Sequence, residues 1–153
     1  MKNHELKLND LAVSALRESA KWSFFLAIVG FIFIALMVVV GIVMGAALSG
    51  IPDDPYGGGM GMNPLASIKS YLGGFYIVMA LIYFFPVYYL FKYANGTKAA
   101  LDSGNEDSLA EGLVNLKSHH KFLGIFTIVM IAFYILAIIG GVIFAAKFAG
   151  SAM

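Results

Sequence analysis

Cysteine is missing from this sequence, and charged residues are scarce. None of the 153 residues is Cys, and only 12% are Asp, Glu, Lys or Arg, whereas soluble domains carry about 25%. Without cysteine the chain has no disulfide, no thiol nucleophile, no cysteine-bound iron–sulfur cluster, no c-type haem and no lipid-modified cysteine. So few charges would leave the surface of a soluble domain largely apolar, so the composition favours a membrane protein.

Charge is absent from three long stretches of the chain. No Asp, Glu, Lys or Arg occurs within residues 22–51, 70–91 or 122–146. Each stretch exceeds the ~18 apolar residues that are typical of a membrane span. The first is also longer than the ~7–15 apolar residues of a signal peptide, so we expect an uncleaved span. The sequence predicts one all-α membrane domain, with spans at 22–48, 64–94 and 122–147 and a Gly/Pro-rich outer loop at 49–63.

The spans lack the residue types that most membrane chemistry requires. Pumps, ion channels and coupled transporters usually place ionisable groups in mid-membrane, and enzymes need nucleophiles or metal ligands there. His119 and His120 are neighbours, but adjacent side chains on a helix do not face each other, so they do not converge on one metal. We therefore expect a non-enzymatic protein with no cofactor, no metal, no nucleic-acid partner and no evident small-molecule substrate.

The cations indicate the orientation of the chain. Positive residues near span ends stay on the cytoplasmic side. A cytoplasmic N-terminus and an external C-terminus would leave only Lys69 and Lys147 outside. The other eight cations would lie inside: Lys2, Lys7, Arg17, Lys21, Lys92, Lys98, Lys117 and Lys121. The sequence thus predicts a multi-pass membrane protein that runs in to out, back in, and out again.

The chain resembles itself at an offset of one hundred residues. The stretch LRESAKWSFFLAIVGFIF begins at Leu16, and LKSHHKFLGIFTIVMIAF begins at Leu116. Both have a cation, an aromatic residue, a span and a glycine near the outer end, in that order. This pattern indicates a parallel internal repeat rather than the inverted repeats of many transporters. The alternative is that any amphipathic segment leading into a span has this pattern.

Amphipathic segments precede the first and third spans. We expect residues 6–20 and 107–120 to form two interfacial helices on the cytoplasmic side, with their apolar faces towards the membrane. The alternative is that they pack on the cytoplasmic ends of the spans or on each other. Their charges are mixed rather than polybasic, so specific binding of anionic lipid is not expected.

Helix-capping residues mark the start of both amphipathic segments. Asn9 or Asp10 can cap the first, because their side chains accept hydrogen bonds from free amide groups. Ser108 and Glu111 have the spacing of a capping box, which predicts a second helix start.

The middle span is rich in aromatic residues and contains a proline. We expect it to begin at Pro64, to kink at Pro86, and to end at Asn95–Gly96. Aromatic rings suit the headgroup level of a bilayer. The predicted interfacial anchors are Trp22, Tyr83, Tyr88, Tyr89, Tyr93 and Phe122. The alternative is a quinone or lipid pocket beside the kink.

Pairs of small residues lie at aligned positions in the first and third spans. Gly41 and Gly45 form a small-xxx-small motif, and Gly141 and Ala145 repeat it. Such pairs let helix backbones approach closely in lipid. They would join the two spans within one chain or join neighbouring chains. The expected partners are the lipid bilayer and either the protein itself or other membrane-protein subunits.

Three motifs carry a resemblance that extends over nearly the whole chain. The order AKW…FLAIVGFI, YFFPVYYLFKYA and LKSHHKFLGIF…YIL resembles a bacterial family of small three-span inner-membrane proteins of unknown function, typical of the Bacteroidota. The resemblance implies the topology and no activity. We therefore expect a homo-oligomer or a small accessory subunit. The alternatives are a small channel or transporter for a hydrophobic or lipid-like substrate, and a membrane-shaping protein.

Overall fold

Three long helices make up the protein. The computed structural model describes residues 7–50 and 64–150, with side chains described for 7–50 and 71–147. The helices are α1 (Asp10–Ser49), α2 (Pro64–Ser103) and α3 (Glu106–Gly150), and the described ranges contain no strand. Each helix is long and apolar enough to cross a membrane. The predicted all-α, three-span architecture is confirmed, and most of the predicted outer loop lies outside the described residues.

The amphipathic segments are not separate helices. Residues 6–20 and 107–120 were predicted as interfacial helices, but their described parts run without a break into the spans as α1 and α3. No proline or glycine separates them from the spans, so nothing interrupts the helical hydrogen bonds. A helix of 40 residues is ~60 Å long, about twice the hydrocarbon thickness of a bilayer. The surplus turns therefore extend beyond the membrane.

The middle helix also continues further than the sequence predicted. It begins at Pro64, as expected, but ends at Ser103 rather than at Asn95–Gly96. The Asn95 side chain donates a hydrogen bond to the Phe91 carbonyl oxygen one turn earlier, at 3.1 Å. Because Asn95 is satisfied inside the helix, the Asn–Gly pair does not terminate it.

Asparagine residues cap both α1 and α3. The Ala12 amide donates to the side-chain oxygen of Asn9 at 2.8 Å, so Asn9 rather than Asp10 is the first cap. The Ser108 amide donates to the side-chain oxygen of Asn105 at 3.0 Å. The predicted capping box at Ser108 is therefore wrong, because Ser108 already lies inside the first turn of α3.

A tight reversal joins α2 to α3. Gly104 adopts a φ of 67°, a left-handed conformation that is cheap only for glycine. The Asn105 amide then donates to the Ala100 carbonyl oxygen at 3.1 Å, which satisfies one of the free carbonyls at the end of α2. The two helices are consequently antiparallel neighbours.

Helix α2 is the centre of the bundle. Both α1 and α3 pack on it, and within the described residues α1 and α3 do not contact each other. We call the end where α1 and α3 begin and α2 ends the basal end, and the opposite end the outer end. The buried hydrophobic residues of the core are five alanines (Ala20, Ala27, Ala80, Ala94 and Ala100) and Tyr93. Small side chains let the helices approach closely, which is how helices associate in lipid.

Candidate functional site

Glycines form the contact between α1 and α2 near the outer end. A methyl group added at Gly73 of α2 would lie 2.8 Å from the Gly41 carbonyl oxygen and 2.9 Å from Gly45 Cα. Both distances are shorter than van der Waals contact, so only glycine fits between these backbones. The predicted packing residues Gly41 and Gly45 therefore lie against α2 of the same chain.

The aligned residues of α3 have a different environment. A methyl group added at Gly141 would meet no atom of the described chain within 4 Å, and Ala145 is exposed. The suggestion that these pairs join the first and third spans within one chain is wrong, because α1 and α3 do not touch in the described residues. Every residue from 127 to 143 is exposed in the isolated chain. The outer part of α3 thus diverges from α2.

Polar contacts hold α1 to α2 at the basal end. The Tyr93 side chain is 1% exposed, and its hydroxyl shares a hydrogen bond with the Ser19 hydroxyl at 3.0 Å. Nearby, the Arg17 guanidinium donates to the Asp102 carboxylate at 2.7 Å, with both side chains about half exposed. Tyr93 was predicted as an interfacial anchor, but it lies in the interior, because Ser19 supplies a partner for its hydroxyl.

These contacts determine the position of the first amphipathic segment relative to α2. Because Arg17 and Ser19 contact the last turns of α2, the start of α1 runs alongside α2 rather than away from it. The alternative that this segment packs on the basal ends of the spans describes the structure better than an interfacial helix.

A second close approach joins α2 to α3 near the basal end. A methyl group added at Gly112 would lie 2.9 Å from Thr97 Oγ1 and 3.2 Å from the Thr97 amide nitrogen. Thr97 is fully buried, and its hydroxyl has no hydrogen-bond partner among the described residues. A close backbone contact, rather than a polar one, therefore fixes α3 at this point.

The two adjacent histidines bind different carbonyl groups. His119 Nδ1 lies 2.7 Å from the carbonyl oxygen of Pro86 on α2. Since a carbonyl oxygen only accepts, this nitrogen carries the hydrogen. His120 Nδ1 instead donates to the Leu116 carbonyl oxygen within α3, at 2.9 Å. His119 therefore links two helices, whereas His120 does not.

The described part of the chain contains no cluster of metal ligands. The two histidine rings stand perpendicular, with their centroids 5.4 Å apart. No group of three or more histidine, aspartate or glutamate side chains there is arranged to hold an ion.

Pro86 is buried inside a continuous α2, and its predicted kink stays a prediction.

The remaining predicted anchors divide into exposed and half-buried rings. Trp22, Tyr83 and Tyr88 are exposed, with Trp22 at 60%. Tyr89 is half-buried, and so is Phe122, whose ring stacks on Phe85 with centroids 6.4 Å apart. Exposure suits an anchor, but the depth of these rings in a membrane stays a prediction.

Two cavities lie along the α1–α2 pair. An apolar groove of about 590 Å³ is lined by Gly30, Met79, Tyr83, Val87 and neighbouring apolar residues of the two helices. A basic cavity of about 380 Å³ lies at the basal end. Its lining residues are Arg17, Ala20, Lys21, Phe24, Ala94, Asn95 and Lys98. Sequence patterns do not predict the basic cavity, because its cations come from two helices far apart in the chain.

Comparison with protein-family models, with curated proteins and with solved structures finds no match to the chain. The resemblance to a Bacteroidota family stays a prediction from the motifs, and the function has to be inferred from the chain's own surfaces.

Proposed function

We propose that this chain is a non-enzymatic inner-membrane protein that acts by helix packing and assembles with further copies of itself through α3. One observation carries the proposal: residues 127–143 of α3 are all exposed in the isolated chain, whereas α1 and α2 pack along most of their lengths. The bundle is closed on one side of α2 and open along the outer part of α3.

Small residues on α3 favour a helix rather than lipid alone as the neighbour. Glycine inside a helix costs ~1 kcal/mol relative to alanine, and α3 contains Gly140 and Gly141 side by side. A methyl group added at either glycine would meet no atom of another described helix within 4 Å, so no close helix contact within the described chain offsets that cost. A helix of another molecule would pack closely on this glycine pair, because small residues permit close backbone approach in lipid.

A second copy is the occupant we propose for this face. In a two-fold dimer, both copies use the same surface patch, so every contact occurs twice. Such a pairing needs no complementary shape on a different protein. An accessory role in a complex with another subunit is the competing outcome of the experiment below.

Matched alanine variants test the proposal. Ala145 follows Gly141 by one helical turn, while Ala132 precedes Gly141 by nine residues and so lies on the opposite face of α3. Ala145→Ile should shift the protein from an oligomer towards a monomer in mild detergent, as measured by native mass. Ala132→Ile adds the same bulk and should leave the oligomer unchanged.

The same experiment contains the outcomes that contradict the proposal. A parent protein that is monomeric, or that co-migrates with a different polypeptide, would exclude self-assembly. Equal behaviour of both isoleucine variants would show that this face of α3 makes no specific contact. Total membrane-inserted protein serves as the control, because isoleucine is more apolar than alanine and should not impair insertion.

The proposed orientation has an independent test. Alkaline phosphatase is active only outside the cytoplasm, so a fusion after Met153 should be active and a fusion after Gly104 should not. Activity at Gly104 alone would reverse the orientation and place the basal end outside.

A further inference from the structure

The basal cavity between α1 and α2 concentrates positive charge from two helices. Arg17 and Lys21 lie one turn apart on α1, and Lys98 reaches the same cavity from α2. The Arg17 guanidinium is paired with Asp102, whereas Lys21 and Lys98 form no ion pair within the described residues. Three positive charges and one negative charge leave the cavity with a net charge of about +2.

The cavity has a defined shape because its floor is made of small residues. Ala20 is 3% exposed and Ala94 is 1% exposed, so the two helices meet closely beneath the cations. Longer side chains at these positions would fill the space. The remaining volume of about 380 Å³ is ample for a phosphate group and part of a glycerol backbone.

The position of the cavity along the helices matches the headgroup layer of a bilayer. Lys21 is the last charged residue before the charge-free stretch of α1, which begins at Trp22 and includes Phe24. Trp22 and Phe24 are both exposed, and aromatic side chains are enriched at this level. One rim of the cavity is therefore apolar and faces the hydrocarbon, while the other carries the cations.

We propose that this cavity binds the phosphate group of an anionic phospholipid, with Lys21 and Lys98 flanking the phosphate and Phe24 contacting the start of an acyl chain. The inference goes beyond the proposed function, since it concerns α1 and α2 and does not depend on how α3 assembles. It also replaces the expectation from sequence that mixed charges would prevent such binding. That expectation considered each amphipathic segment alone, whereas Lys98 joins the site from another helix.

The single tryptophan of the chain allows a direct measurement. Trp22 adjoins Lys21 on α1 and lines the neighbouring surface with Arg17, so lipids with brominated acyl chains quench its fluorescence when they occupy the cavity. The full-length protein is reconstituted in phosphatidylcholine vesicles that contain brominated phosphatidylglycerol, and separately in vesicles with the same mole fraction of brominated phosphatidylcholine. We expect stronger quenching by the brominated phosphatidylglycerol.

Two variants distinguish binding in the cavity from general electrostatic attraction to an anionic membrane. Lys98→Gln removes a cation of the cavity without changing the residues next to Trp22, and should lower the preference for phosphatidylglycerol about fivefold. Lys117→Gln removes an exposed cation of α3 that does not line the cavity, and should leave the preference unchanged. Equal quenching by both lipids, or equal losses in both variants, would overturn the proposal.

A final arm distinguishes a lipid phosphate from a phosphate in solution. Inorganic phosphate, added at an ionic strength matched with sodium chloride, should not relieve the excess quenching. Relief by phosphate beyond that caused by chloride would show that the cavity takes a soluble anion, and would overturn its assignment to lipid.

Discussion

The contact of Gly73 with α1 leads to a prediction whose magnitude follows from the structure. In Gly73→Ala the new methyl would lie 2.8 Å from the Gly41 carbonyl oxygen, and ordinary contact begins at 3.4 Å. Since the obstructing atoms belong to the backbone, α1 and α2 must separate by about 0.6 Å. A gap of 0.5–1 Å forfeits roughly a quarter to a half of each close contact, and overpacking of this kind costs ~1–3 kcal/mol.

The neighbouring residue provides a matched control. A methyl group added at Gly74 would meet nothing within 4 Å in the described chain. Both alanine substitutions gain the same helix propensity of ~1 kcal/mol, so the difference between them isolates the packing contact. We expect Gly73→Ala to weaken the α1–α2 pair by ~1–3 kcal/mol relative to Gly74→Ala.

An engineered disulfide can report on this helix pair. An ideal Cβ at Gly30 lies 3.5 Å from Val87 Cβ, which is within the range of disulfides, and the chain has no other cysteine. With cysteines at both positions, brief oxidation at increasing sodium dodecyl sulfate measures how much of the pair remains associated. Gly73→Ala should lose crosslinking at a lower detergent fraction than Gly74→Ala. Identical midpoints would refute the close contact of α1 with α2.

Three further predictions concern the basal end. Gly112→Ala should weaken the packing of α3 on α2 by ~1–3 kcal/mol, because the methyl would lie 2.9 Å from the buried Thr97 hydroxyl oxygen. Gly124→Ala places its methyl in open space and should leave this packing unchanged. A cysteine crosslink between α2 and α3 would measure the difference. In the same assay His119→Ala should cost ~1 kcal/mol through its lost interhelical hydrogen bond, and an equal effect of His120→Ala would contradict this role. Tyr93→Phe should weaken the α1–α2 crosslink by ~1 kcal/mol while keeping the ring, and an unchanged midpoint would mean that the hydroxyl contact contributes nothing.

Composition predicts the spans of this protein but not their contacts. Three charge-free stretches are sufficient to locate α1, α2 and α3, because only apolar helices satisfy their backbone groups in lipid. The faces that touch protein and those that touch lipid are equally apolar, so no stripe in the sequence separates them. Tyr93 illustrates the difficulty, since its burial depends on Ser19, which lies 74 residues away.

The helices extend beyond the spans predicted from the sequence for a related reason. Hydrophobicity ends at Lys21, and the Asn95–Gly96 pair is typical of a helix end, but helical structure ends only where hydrogen bonding is interrupted. The first described interruption between α2 and α3 is the left-handed Gly104. Polar turns that continue a span remain helical when a neighbour packs on them, as α2 does on the start of α1.

The two halves of the apparent repeat show how aligned residues acquire different roles. Gly41 and Gly141 occupy equivalent positions, yet Gly41 lies against Gly73 of α2, while a methyl group added at Gly141 would meet no other described helix within 4 Å. In the described residues of α2, the glycine contact near the outer end is at Gly73, and α1 occupies it. Helix α3 is held to α2 in its basal half, by Gly112, His119 and Phe122, and its Gly141 does not lie against Gly73. If the halves arose by duplication, the second kept a glycine at this position although no other described helix packs closely on it.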